Sequence, residues 1–85
     1  MASCKLRIKP SAVKEIEELP KTDRHRIIER IRRLAEDPRP PGSEKLSGQE
    51  QYRLRQGNYR ILYTIEIADL IIVLVKVGHR RDAYR

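Results

Sequence analysis

The chain has 85 residues, enough for one domain with a single small core, and 36% of them are charged against 39% hydrophobic. A net charge of +7 and a pI near 10.0 point toward a polyanionic partner. The lone cysteine, Cys4, excludes an intramolecular disulfide and a cysteine-based zinc cluster, and the longest apolar run, Leu70 to Val75, is too short to span a bilayer.

No apolar stretch follows the opening "MASCKLRIKP", so no secretory leader is expected and a cytoplasmic setting fits. "CKLRIK" alternates, Leu6 and Ile8 against Lys5, Arg7 and Lys9, which predicts a half-exposed strand. Ser11 is the expected N-cap of a helix whose narrow apolar stripe is Val13, Ile16 and Leu19, with Ala12 beside it, and Pro20 ends it. Thr22 or Asp23 then caps a second helix. Its Ile27, Ile28, Ile31, Leu34 and Ala35 follow helical spacing, and Asp37-Pro38 terminates it.

"PRPPGSEKLSGQE" reads as a loop. Three strands are expected after it, over residues 51–55, 59–66 and 70–77. Gly57-Asn58 suits the first hairpin turn, and Ala68-Asp69 lies near the second. Gly78 is read as the end of the last strand. The order β-α-α-β-β-β gives an α+β fold: one domain over residues 1–85, with a helical hairpin packed on one face of a small, mainly antiparallel sheet.

Charge is unevenly shared along the chain. Residues 12–37 hold seven acidic and seven basic groups, so the whole excess of +7 lies on the remainder, and the helices read as an ordinary solvated surface. If Gly57-Asn58 forms a two-residue hairpin loop, Gln56 pairs with Tyr59, Arg55 with Arg60 and Arg53 with Leu62. Directly opposed residues share a side of the sheet, so Arg53, Arg55 and Arg60 should converge on the face away from the helices. Like charges in opposition weaken a ladder unless an acid or an incoming anion compensates. The terminal "VGHRRDAYR" adds His79, Arg80, Arg81 and Tyr84 at the end of the last strand. The residues by themselves fit a phosphodiester-cleaving site or an RNA-binding patch equally well.

The run "EKLSGQEQYRLRQGNYRILYTI" followed by "LIIVLVKVGHRRDAYR" resembles the RelE/ParE superfamily of bacterial and archaeal toxins, and the RelE-type branch most closely. The resemblance covers nearly the whole chain. It implies a ribosome-dependent endoribonuclease that cuts messenger RNA in the A site by attack of the 2′-hydroxyl on the neighbouring phosphate. It also implies a cognate antitoxin that holds the toxin inactive, with the chain monomeric alone and part of a hetero-oligomer with the antitoxin. The family's basic strand pair falls on Arg53 and Arg55, its hairpin arginine on Arg60, its tail arginine on Arg80 and its terminal tyrosine on Tyr84. Where family members often carry lysine, this chain has Arg53, Arg55 and His79.

On that reading Arg60, His79, Arg80 and Tyr84 are the candidate catalytic residues, and Lys45, Arg53, Arg55 and Arg81 the candidate RNA-binding ones. Arginine stays charged and forks onto phosphate, so Arg60 and Arg80 suit a developing phosphorane, while His79 and Tyr84 are left for proton transfer. No carboxylate or cysteine cluster offers a metal site, so no cofactor is expected. Two alternatives remain: a ParE-like inhibitor of DNA gyrase on the same fold, and a non-catalytic RNA-binding module.

Overall fold

The computed structural model describes residues 4–46 and 51–79. Strand β1 (Lys5–Ile8) leads into helix α1 (Pro10–Glu17) and helix α2 (Lys21–Leu34). Four strands follow: β2 (Ser43–Leu46), β3 (Gln51–Gln56), β4 (Tyr59–Glu66) and β5 (Ile71–His79). They form one mixed sheet in the order β1-β5-β4-β3-β2, in which only the β1–β5 pair is parallel. The α+β architecture matches the sequence reading, with one strand more.

That extra strand, β2, lies in the segment read as a loop. Its SEKL sequence has no apolar alternation, and its outer position leaves Glu44 and Lys45 exposed, so pattern alone does not reveal it. Its identity comes from pairing: Ser43 opposes Leu54 and Leu46 opposes Gln51.

Both helices begin earlier than their polar residues suggest. Neither start has a side-chain cap: Lys9 and Pro20 stand at the N-cap positions, and Ser11, Thr22 and Asp23 lie inside the first turns. Pro10 occupies the first position of α1, where its fixed φ favours the helix and its missing N–H costs nothing. Pro20 both ends α1 and starts α2, because its carbonyl accepts the Arg24 N–H at 2.8 Å. Asp23 in that first turn complements the helix dipole.

The helices bury narrower stripes than expected. Ala12 and Ile16 of α1, and Ile27, Ile31 and Leu34 of α2, enter the core. Val13 and Ile28 were expected on those stripes, but each is about 100° of helical rotation off the buried line. They remain 39% and 42% exposed. The sheet supplies the other half of the core through one strand parity, with Leu54, Ile61, Tyr63, Ile72 and Leu74 fully buried. Tyr52 and Tyr63 stack across β3 and β4, with ring centroids 5.6 Å apart. Their hydroxyls hold the loop before β2: Tyr63 donates to the Pro38 carbonyl at 2.7 Å, and Tyr52 accepts from Arg39 Nε at 2.8 Å.

Gly78 does not end β5; the strand runs on to His79, which pairs with Tyr59. A β-bulge prepares that end. Leu62 opposes Lys76 and Tyr63 opposes Leu74, so Val75 is the extra residue. The shift reverses parity: Ile72 and Leu74 face the core before it, and Val77 faces the core after it. Glu15 of α1 fills the gap, accepting from the Val77 N–H at 3.0 Å and from Lys76 Nζ at 2.9 Å.

Candidate functional site

The β3–β4 register is the one the hairpin reading requires: Arg55 opposes Arg60, Arg53 opposes Leu62 and Gln56 opposes Tyr59. The turn between them has Gly57 at φ +58°, which a two-residue hairpin loop of the II′ kind needs at its first position. Leu54 and Ile61 lie in the core, so their neighbours Arg53, Arg55 and Arg60 fall on the opposite face, away from the helices. The three arginines are therefore brought together.

The flanking strands complete that face. Arg60 opposes Gly78 on β5, a consequence of the bulge, since unbroken alternation from Leu74 would have turned Gly78 inward. Gly78 brings no side chain to this row. Arg60 lies mid-sheet at 6% exposure and is the one buried charged side chain among the described residues. On the neighbouring strand β3, Arg53 is half-buried and Arg55 exposed, so the most buried of the three is the one on the central strand.

On the other side β2 contributes an acid that the sequence reading missed. Glu44 opposes Arg53 and accepts from its Nη2 at 2.5 Å. The Arg53 hydrogen bond, then its charge, hold the Glu44 carboxyl below the usual carboxylate range. Desolvation opposes this in part, and the charges of Arg55 and Arg60 add smaller lowering contributions. All three arginines thus act on one carboxylate. A groove of about 270 Å³ runs past Gly42, Glu44, Arg53 and Arg55. Within it the Arg53 guanidinium is paired with the Glu44 carboxylate, an acceptor of the same kind as a phosphate oxygen.

His79 is not on that face. It opposes Tyr59, whose parity is that of Ile61 and Tyr63, so it belongs to the helix side at the same end of the sheet. Its ring meets Tyr59 edge-on, with centroids 5.6 Å apart. The Tyr59 hydroxyl donates to Asp23 Oδ2 at 3.2 Å, tying this strand end to α2. Burial, then the Asp23 hydrogen bond and charge, raise the Tyr59 pKa, so this phenol stays protonated. The sequence reading set His79 at the end of the last strand beside the arginines, and the parity reversal at Val75 gives it the helix side of that end.

Lys45 opposes Tyr52 and so shares the parity of the core-facing residues rather than that of Arg53 and Arg55. Arg80, Arg81 and Tyr84 lie outside the described residues. Among the described residues no three His, Cys, Asp or Glu side chains converge as metal ligands, and no helix is long and apolar enough to cross a membrane.

Comparison with known proteins gives a consistent picture. A family described as the ParE toxin of the type II toxin–antitoxin system, parDE, matches residues 6–84. The protein named RelE1 of Methanocaldococcus jannaschii is 30% identical over 77 residues, which cover 86% of each chain. The crystal structure of the archaeal RelE–RelB complex from Pyrococcus horikoshii superposes with a TM-score of 0.85 at 29% identity, covering 94% of this chain and 98% of that one. The RelB–RelE antitoxin–toxin complex from Methanococcus jannaschii gives a TM-score of 0.74 at 27% identity, covering 92% and 94%.

Proposed function

Because the chain belongs to the RelE/ParE family of type II toxin–antitoxin toxins, we propose that it is an endoribonuclease that cleaves messenger RNA on the ribosome. The observation that carries this reading is the convergence of Arg53, Arg55 and Arg60 on the sheet face opposite the helices. In the proposed reaction a ribose 2′-oxygen bonds to the adjacent phosphorus while the bond from phosphorus to the 5′-oxygen breaks. A cyclic 2′,3′-phosphate and a 5′-hydroxyl result, with no net change in protons.

Arg60 stabilises the charge that builds on the phosphorane. Its burial on the central strand of the sheet holds the guanidinium in place before substrate arrives, which is the form of electrostatic help that accelerates most. Arg53 and Arg55 hold flanking phosphates, with substrate displacing Glu44 from Arg53. Arg80 joins Arg60 at the phosphorane, and Arg81 and Lys45 bind RNA beyond it. His79 and Tyr84 carry the proton transfers. His79 works from the strand end, braced by Tyr59, rather than from the arginine face itself.

Substrate positioning comes from the ribosome, since a domain this small has little surface for orienting RNA and the rate depends on orientation. The solved Pyrococcus relative is a complex of RelE with RelB. By extension a cognate antitoxin binds this chain, and acidic segments of it neutralise the arginine face in the resting cell.

The test is induction of the wild-type chain and of Arg60→Ala in cells, with transcriptome-wide mapping of RNA 5′ ends. New ends within coding regions, lost in the variant, are expected. The description of the matching family favours one rival, a ParE-like toxin acting on DNA gyrase. DNA-damage signalling without new 5′ ends would establish that rival. Salt-sensitive RNA binding with neither effect would leave a non-catalytic RNA-binding module.

A further inference from the structure

The second helix carries its charges unevenly. Between Lys21 and Leu34 stand six basic residues and two acids, Asp23 and Glu29. The neutral balance of residues 12–37 therefore hides a separation, with Glu15, Glu17 and Glu18 at the first helix and Glu36 and Asp37 beyond the second. Of the two acids on α2, Asp23 already accepts from Tyr59.

Arg26, Arg30 and Arg33 follow i, i+4, i+7 spacing and so share one side of α2. With His25, Glu29 and Gln56 they line a groove of about 220 Å³ between the helix and the β3–β4 hairpin. Arg30 Nε is buried there with no hydrogen-bond partner among the described residues. A buried donor of this kind is costly until an acceptor arrives, and one nearby carboxylate cannot satisfy three guanidinium groups. A smaller hollow, lined by Asp23, Arg26, Gln56, Gly57 and Tyr59, extends the groove toward the hairpin tip. On the far side of that tip, Arg55 begins the arginine face.

From this we infer that the α2–hairpin groove is a second RNA-backbone site, which holds phosphates of a strand passing around the β3–β4 hairpin from the arginine face. The choice of RNA among polyanions rests on the nuclease reading; the anion chemistry of the groove does not. Three phosphate contacts, roughly 6 Å or less apart along the helix axis, are made by Arg26, Arg30 and Arg33.

The experiment uses the full chain and a fluorescent 2′-O-methyl oligouridylate, which cannot be cleaved by 2′-hydroxyl attack, titrated by anisotropy over a range of salt. Arg26→Gln/Arg30→Gln/Arg33→Gln should flatten the plot of log affinity against log salt by about 2, because each lost contact with a single strand removes about 0.7. The corresponding lysine triple keeps the wild-type slope. An unchanged slope in the glutamine triple overturns the inference. So does a variant that binds RNA normally but no longer binds the antitoxin, since the groove is then a protein-docking site.

A second measurement needs no variant. Phenylglyoxal modification of the wild-type chain, mapped by mass spectrometry, should show Arg26, Arg30 and Arg33 protected by the oligonucleotide; equal labelling with and without RNA overturns the inference. Absence of cleavage on ribosomes together with these slope changes would remove the nuclease reading and leave the site standing.

Discussion

The outer sheet face and the exposed side of α2 are both rich in arginine, but the two regions hold it under different rules. On the sheet, strand parity and the hairpin register decide which arginines meet, and Arg60 ends up at 6% exposure on the central strand. On α2, helical spacing lines up Arg26, Arg30 and Arg33, and only Arg30 among them is half-buried. A guanidinium locked in a ladder is prepositioned for a developing charge; one on a helix surface can follow a flexible strand. The first arrangement suits chemistry and the second suits grip.

The comparison breaks most completely if α2 is detached. Leu34 is fully buried, and Leu34→Ala should cost about 2–5 kcal/mol of stability, read as a lower urea midpoint. For a domain of this size that is a large share of the total. Arg60→Ala should lower single-turnover cleavage on programmed ribosomes on the order of 10²-fold, as expected for losing a group aimed at the transition state. Arg26→Ala should change the half-saturating ribosome concentration and leave the saturated rate alone. Equal losses of saturated rate in the two variants would erase the distinction between the faces.

The loop from α2 to β2 joins the two regions, and Tyr63 holds it through the Pro38 carbonyl. Tyr63→Phe should cost about 0.5–1.5 kcal/mol. Burial pushes the Tyr63 pKa up to about 12, whereas a tyrosine in an unfolded chain titrates near 10. Folding thus favours the neutral phenol. Its contribution is whole below pH ~10 and is lost as pH rises through about 12, so wild-type stability should fall more steeply there than that of Tyr63→Phe.

The arginine face was legible in the sequence because strand alternation has a period of two and Gly57-Asn58 fixes the register, leaving no freedom in where Arg53, Arg55 and Arg60 point. The side of His79 was not. The extra residue at Val75 reverses parity at the end of a run that is apolar at every position, so the run has no alternation from which the change at Lys76 could be read. Glu44 escaped for a related reason: its strand is short, exposed and recognised only by its pairing with β3. The α2 groove was hidden by averaging, since summing charge over residues 12–37 cancels two surfaces that the fold keeps apart. The resemblance to the RelE/ParE toxins supplied the family, and through it the reaction now proposed.

Glu44 offers the finest test of the difference between the faces, because it is an acid set directly against the sheet arginines. While ionised it competes with phosphate for Arg53, and among the described residues no acid is in such a pairing with Arg26 or Arg33 in the α2 groove. Removing the competitor in Glu44→Gln should tighten oligonucleotide binding by roughly two- to fivefold, the scale of an exposed ion pair. The pH dependence follows from the lowered carboxyl pKa. The Glu44–Arg53 pairing is fully present above about 4.5 and is lost as pH falls through the depressed value. Wild-type affinity should therefore climb toward that of Glu44→Gln as the solution is acidified, while the variant stays level. Parallel pH profiles for the two chains would mean that Glu44 does not gate the arginine face and that Arg53 reaches phosphate without giving up its partner.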